Sequence, residues 1–234
     1  MSKLLTICLS YFNQKETLLK HIEYWKKYNK KYLDKITFQI IDDCSLETPA
    51  LDIIKNTDHK SLDIELYRVK DDLVCNIAGV RNLAGTVTST EYMLLLDMDC
   101  IIDEVMINKV FSLFDQDNKG KVHKFNRKTL NPNHPKNNKE HPAICLIRKE
   151  DYWNIGGCEE DLVGHYGFTD PSFWYKAQGK VEIVSHKDLF LLYDDQGSSK
   201  INRNTSHNSL IIKNKIKNNS WSTDYLRFEW EKIM

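Results

Sequence analysis

The 234-residue chain has no excess of either charge. Its 33 Lys and Arg balance 33 Asp and Glu, so no overall field draws it to nucleic acid, and only a local basic patch stays open. Long hydrophobic runs are missing as well. Leu4–Leu9 is short and gives way at once to polar residues, and nowhere do eighteen apolar residues follow one another, so neither a secretory leader nor a membrane span is expected. The six cysteines (Cys8, Cys44, Cys75, Cys100, Cys145 and Cys158) include no C-x-x-C pair. That argues against a zinc ribbon or a small disulfide scaffold, and reduced thiols in a cytoplasmic protein are expected. Glycine-rich phosphate cradles are absent too. Gly79 and Gly85 are too far apart for G-x-G-x-x-G, and no G-x-x-x-x-G-K-[ST] occurs, so any phosphate must be held by side chains and a metal. No G-x-S-x-G elbow anchors a hydrolase triad. Asp115-Gln116-Asp117 opens like a calcium loop, but Lys119 takes the fifth position and Asn126 the last, which excludes one.

What is present reads as one globular α/β domain. Hydrophobic residues are 41% and charged residues 28%, an ordinary globular balance. Short apolar runs at Leu4–Leu9, Ile36–Ile41, Leu62–Val69 and Tyr92–Leu96 predict strands. Between them, helices are expected from Asn13 (with Glu16 completing a capping box), around Leu51–Ile54, and over Ile77–Thr88. Strands spaced by helices imply right-handed crossovers and a mostly parallel sheet. A further helix is predicted at Glu104–Phe114. Residues 119–142 carry six lysines and Arg127 against one glutamate, with three prolines and little apolar periodicity; a long loop is expected there, either a lid or a solvated insertion. Beyond it come a strand at Ala143–Ile147, a helix near Pro171–Ala177, a strand from Val181, and a helical tail with Trp221, Tyr225 and Phe228 on one side.

Open parallel sheets bind ligands beyond the carboxyl ends of their strands, so the polar residues there carry the functional reading. The predicted strands end in Ser10-Tyr11, Asp42-Asp43 and Asp97-Met98-Asp99. Two carboxylates one residue apart after a buried Leu-rich strand can converge on a hard divalent cation shared with phosphate oxygens. The planar fork of Arg81, in NIAGVRNLAG, suits a diphosphate. Asp170, before Pro171, reads as a helix N-cap that can also face a cleft and take a proton from an attacking hydroxyl.

Taken in order, CLSYFNQKETL, IIDDCS, AGVRNLAG, LLLDMDC and GGCEEDLVGHYGFTDPSFWYK resemble the GT-A fold glycosyltransferases of the family 2 type, over roughly residues 4–195. The resemblance implies a single Rossmann-like α/β domain over 1–234. It divides into a nucleotide-sugar-binding half (1–103), an acceptor and catalytic half (104–195) and a C-terminal tail (196–234). It also implies that Ser10, Tyr11 and Asp43, with Asp42, hold base and ribose, and that Arg81 meets the nucleotide or diphosphate. Asp97-Met98-Asp99 would be the D-x-D that binds donor and metal, Mn²⁺ or Mg²⁺, with Asp97 and Asp99 as ligands. Asp170 matches the aspartate of the family's acidic pair, the base of inverting members, although Thr169 replaces the acid before it. His186, Asp194, Asp195 and His207 stay open as a third metal ligand.

The implied activity is inverting transfer from a UDP-, GDP- or dTDP-linked sugar to a glycan, lipid-linked or protein acceptor, without nucleic acid. Two alternatives stand beside it. One is a nucleotide-sugar- or carbohydrate-binding module that has lost turnover. The other is a sugar-1-phosphate nucleotidyltransferase, against which SYFNQKETL shows no Gly-rich loop after the first strand.

Overall fold

The structure, a computed structural model, describes residues 3–194 and 202–234. Its strands are β1 (Leu5–Tyr11), β2 (Ile36–Asp43), β3 (Ile64–Val69), β4 (Tyr92–Leu96), β5 (Cys100–Ile101), β6 (Lys121–Lys128), β7 (Glu140–Arg148), β8 (Glu182–Tyr193) and β9 (Trp230–Lys232). Among the described residues they form one sheet in the order β5-β8-β6-β7-β4-β1-β2-β3-β9. The pairs β4-β1, β1-β2, β2-β3 and β6-β8 are parallel and the other four antiparallel, so the predicted parallel sheet is real in the first half and becomes mixed in the second.

The helices are α1 (Lys15–Trp25), α2 (Lys30–Leu33), α3 (Ala50–Lys55), α4 (Ile77–Val87), α5 (Glu104–Leu113), α6 (Lys149–Ile155), α7 (Thr169–Ala177) and α8 (Ser206–Asn218). None of the described helices is long and apolar enough to cross a membrane. Because side chains alternate across a strand, each face of the sheet builds its own core. Leu5, Ile7 and Leu9 pack with Leu18, Ile22 and Trp25 of α1, where Trp25 stacks on Phe38 at 4.5 Å. On the other face Cys8, Met93 and Leu95 meet Leu83 of α4 and Tyr152 of α6.

Four expectations need correction. The segment 119–142 is not one long loop, because β6 occupies Lys121–Lys128 and β7, antiparallel to it, begins at Glu140, which leaves 129–139 as the connection. Val122, His123, Phe125 and Asn126 are buried there, a core face that the interleaved lysines hide from a periodicity search. Helix α1 has no capping box: Gln14 is its N-cap without a side-chain bond, while Asn13, at φ 48°, instead accepts the N–H groups of Glu47 and Thr48. Asp170 is not an N-cap, since α7 starts at Thr169 behind Phe168. The tail is helical only over α8. Tyr225 and Phe228 lie on an extended segment that ends in β9, antiparallel to β3.

Asn82 of α4 ties the halves together. Its amide oxygen accepts from Tyr152 Oη at 2.7 Å and Cys158 N at 2.8 Å, and its Nδ2 donates to Cys158 O at 3.0 Å and Glu160 Oε1 at 2.7 Å. Glu160 in turn receives the N–H groups of Leu226 and Arg227, docking the C-terminal segment. Asn82→Ala strands several of these buried groups at about 1–3 kcal/mol each. Thermal unfolding is expected to fall by at least 6 °C, at roughly 2–4 °C per kcal/mol for a chain of this size. An unchanged melting temperature would show that the network is dispensable.

Candidate active site

The carboxyl ends of β1, β2 and β4 open on one cleft of about 290 Å³, whose lining includes Ser10, Tyr11, Asp43, Asn76, Arg81, Asp97, Met98, Asp99, Asp170 and Arg203. Strand ends far apart in sequence converge there because parallel pairing puts all their carboxyl ends on one edge. The segment 166–170 closes the far side. Phe168 holds a left-handed φ of 65°, a backbone state that costs a bulky residue energy, and it turns the chain into α7 so that Asp170 faces the cleft.

The predicted base-and-ribose residues divide. Asp43 lines the cleft and accepts Asn76 Nδ2 at 3.2 Å. Ser10 also lines it. Tyr11 lines it with its ring otherwise buried and its hydroxyl donated to Thr48 O at 2.5 Å. Asp42 is not at the cleft. Its carboxylate is buried and accepts Ser45 N and Ala50 N, each at 2.8 Å, which makes it a brace for the turn into α3 rather than a ligand group. Asn76 and Arg203 carried no signal in the sequence, each being one polar residue in an aperiodic stretch.

Burial pushes the Asp43 carboxyl up from 3.8 to about 6, although Asn76 partly offsets the effect. Between those two values the folded protein holds a proton that the unfolded chain has lost, so stability falls as pH rises through the window. Asp43→Asn removes that cost. The variant is expected to be more stable than the parent at pH 8 by up to roughly 2–3 kcal/mol, with the advantage fading toward pH 4. Urea unfolding at the two pH values measures it, and a constant difference would contradict the assignment.

Arg81, on α4, is the centre of the cleft. Its Nη2 donates to Asp97 Oδ1 at 2.8 Å and its Nη1 to Asp170 Oδ1 at 2.6 Å, with only 6% of the side chain exposed. Burial alone would depress the guanidinium, but the two carboxylates overcome it and hold its pKa above the usual value. The fork predicted to grip a diphosphate thus grips two aspartates.

Met98 sits with its side chain in the core, and its carbonyl accepts from His21 Nε2 at 3.0 Å. Burial lowers the His21 pKa to about 4, so the ring is neutral and Nε2–H is a donor that fixes the turn between Asp97 and Asp99. Asp99 Oδ1 is buried and has no hydrogen-bond partner among the described residues, which fits a carboxylate arranged for a cation. The metal-ligating atoms of Asp99, Cys100 and His141 lie within 4.8 Å of one another. His141 Nδ1 accepts Ala143 N and Ile144 N at 3.2 Å, however, so in its neutral form the proton sits on Nε2, which faces Asp99 Oδ1 at 3.6 Å. Burial also raises the Cys100 thiol well above its usual pKa, so of these three Asp99 is the donor that suits a hard cation.

Of the histidines and carboxylates left open as a third ligand, His186 bonds to His123 at 2.9 Å, His207 stacks on His165 at 3.7 Å, and Asp194 pairs with Lys20 at 2.5 Å. Asp195 lies outside the described residues. His141 carries no signal in the sequence, because the lysine- and proline-rich stretch around it hides the strand that positions it.

A sheet with acidic strand ends around a cleft, closed by a helix bearing a further aspartate, defines an α/β protein of the GT-A glycosyltransferase type. The chain belongs to glycosyl transferase family 2, whose model matches residues 6–178. No curated protein sequence matches it. Its fold is similar to that of TarS 1-349 from S. aureus in complex with UDP-GlcNAc (TM-score 0.68, 13% identity, 84% of this chain and 60% of that one). It is also similar to the mannosyltransferase PcManGT from Pyrobaculum calidifontis in complex with GDP-Man and Mn²⁺ (TM-score 0.63, 13% identity, 86% and 58%). A third similar structure is GalNAc-T7 with UDP, GalNAc and Mn²⁺ (TM-score 0.63, 14% identity, 84% and 46%). The chain spans less than two thirds of the length of these structures.

Proposed function

We propose that this family 2 chain transfers a sugar, with inversion, from a nucleotide-sugar donor to an acceptor hydroxyl. The observation that carries the reading is the junction at Arg81, where Asp97 and Asp170, from opposite halves of the chain, meet at one guanidinium inside one cleft. Asp43 and Ser10 receive the nucleoside. Asp97 and Asp99 would hold Mn²⁺ or Mg²⁺, and such an ion supplies neutralisation of the diphosphate leaving group. Asp170 takes the proton from the acceptor hydroxyl as that oxygen attacks the anomeric carbon opposite the departing diphosphate. Arg81 Nη1, 2.6 Å from Asp170 Oδ1, holds that carboxylate in place at the cleft. An intact Asp170 facing the cleft favours turnover over a binding module, despite Thr169, which is buried and donates no acid to the site.

The test is a thermal-shift series of UDP, GDP, dTDP and their sugars, with and without Mn²⁺. One nucleotide is expected to stabilise the protein, by about 2.7 kcal/mol at a hundredfold excess over Kd, and more so with Mn²⁺. Asp99→Asn is expected to remove the Mn²⁺-dependent part alone. No shift with any nucleotide would overturn the donor site.

A further inference from the structure

From 121 to 139 the chain carries five lysines and Arg127 and no acidic residue, in a protein whose charges otherwise balance. These charges lie on the β6–β7 hairpin, whose His141 approaches Asp99 of the cleft. Beside the connection, at the start of β7, His141 Nε2 is 3.6 Å from Asp99 Oδ1, and Asp194, next to β8, donates its N–H to Asp99 O at 2.8 Å. On its other flank Trp174, one turn after Asp170 on α7, donates its indole N–H to Pro142 O at 2.6 Å and has Lys124 Nζ 4.6 Å from its ring centroid. The hairpin therefore touches both the strand end assigned to the metal and the helix that carries the assigned base.

Among the described residues, Lys124 is the hairpin cation with a carboxylate partner, Glu140 at 2.9 Å. Among the described residues no carboxylate pairs with Arg127, Lys128, Lys136 or Lys139. Arg127 donates only to main-chain oxygens, Lys139 O at 3.4 Å and Glu140 O at 3.0 Å. Its guanidinium lies 5.4 Å from the Tyr193 ring centroid, and Lys136 Nζ lies 4.5 Å from the same ring and donates to its hydroxyl. Two like charges held over one buried ring repel each other unless an anion joins them. None of these four cations lines the cleft, so an anion bound by them would not be the donor diphosphate.

We propose that the β6–β7 hairpin binds the acceptor, and that the acceptor is a polyanion bearing phosphate or carboxylate groups. The word acceptor rests on the transferase reading above; the anion site does not. RNA fits less well, because Phe125, the one phenylalanine of the hairpin, is fully buried and offers no surface for base stacking.

Fluorescence anisotropy on the full chain tests this with labelled polyphosphate, oligogalacturonate, neutral dextran and single-stranded RNA. Polyphosphate or oligogalacturonate is expected to bind at least about tenfold more tightly than dextran, weakening as salt rises. Whichever of the two is preferred identifies the charged group. Saturating nucleoside diphosphate is expected not to displace it. Arg127→Ala with Lys136→Ala is expected to lose about tenfold or more. Lys128→Ala with Lys139→Ala is expected to weaken binding in the same direction, and these exposed side chains make no hydrogen bonds whose loss would disturb the hairpin. Equal binding of dextran, tighter binding of RNA, displacement by nucleotide, or no loss in either double variant would overturn the proposal. Nucleotide thermal shifts on the same samples keep the two readings apart. Retained shifts without polyanion binding sink only this inference, and lost shifts with polyanion binding sink only the donor site.

Discussion

Asp170→Asn is expected to lower kcat for sugar transfer by roughly 10²–10⁴, the range that a positioned general base contributes. The amide has the shape of the carboxylate, and its oxygen can still accept Arg81 Nη1, now 2.6 Å from Asp170 Oδ1. What it cannot do is take a proton from the acceptor. Nucleotide affinity, measured by calorimetry, is therefore expected to stay within about threefold of the parent while the rate collapses, the pattern of an interaction used only in the transition state. Asp170→Ala makes a useful contrast. It removes the base and also releases one half of the Arg81 fork, so it is expected to cost stability as well as rate. A variant Asp170→Asn that transfers sugar at the parent rate to a defined acceptor would place the base elsewhere.

The parts of the fold that were legible in the sequence are those where one physical signal dominates. Tyr92–Leu96, buried on both faces, is a continuous apolar run and was predicted to the residue. The helix at Ile77–Val87 follows from its 3.6-residue pattern to within one residue. Strand β6 was hidden because its inward residues include His123 and Asn126, satisfied by His186, Asn118 and Lys187 O in ways that only the tertiary fold supplies. The cleft was legible at its strand ends, where backbone topology alone places residues. Partner choice was not. Asp42 and Asp43 are adjacent in sequence and chemically identical, yet one braces a turn through two main-chain N–H groups and the other faces the cleft. The same holds for Arg81: its position was read from the sequence, but its two carboxylate partners, 16 and 89 residues away, could not be.

Arg81→Met separates the two roles that this side chain can have. If the guanidinium exists to bind a diphosphate, the substitution weakens nucleotide binding and leaves the free protein as stable as before. The observed bridge argues the opposite. With Arg81 gone, Asp97 and Asp170 face each other across a site where 27% of each side chain is exposed, with the cation that joined them replaced by an apolar stem. Breaking a buried ion pair from one side costs about 3–5 kcal/mol, and the partial exposure of both carboxylates brings the expected loss to about 2–3 kcal/mol. Urea unfolding without any ligand is expected to show it. Pairing Arg81→Met with Asp170→Asn removes one of the stranded charges, so the double variant is expected to be more stable than Arg81→Met alone, a non-additivity that only a direct coupling produces. Arg81→Lys keeps the charge but not the planar fork, and a single ammonium cannot reach two carboxylates in the same geometry, so it is expected to recover part of the stability and little of the rate. Additive stabilities with unchanged unfolding of Arg81→Met would return the residue to the donor phosphates and leave Asp170 to be oriented by α7 alone.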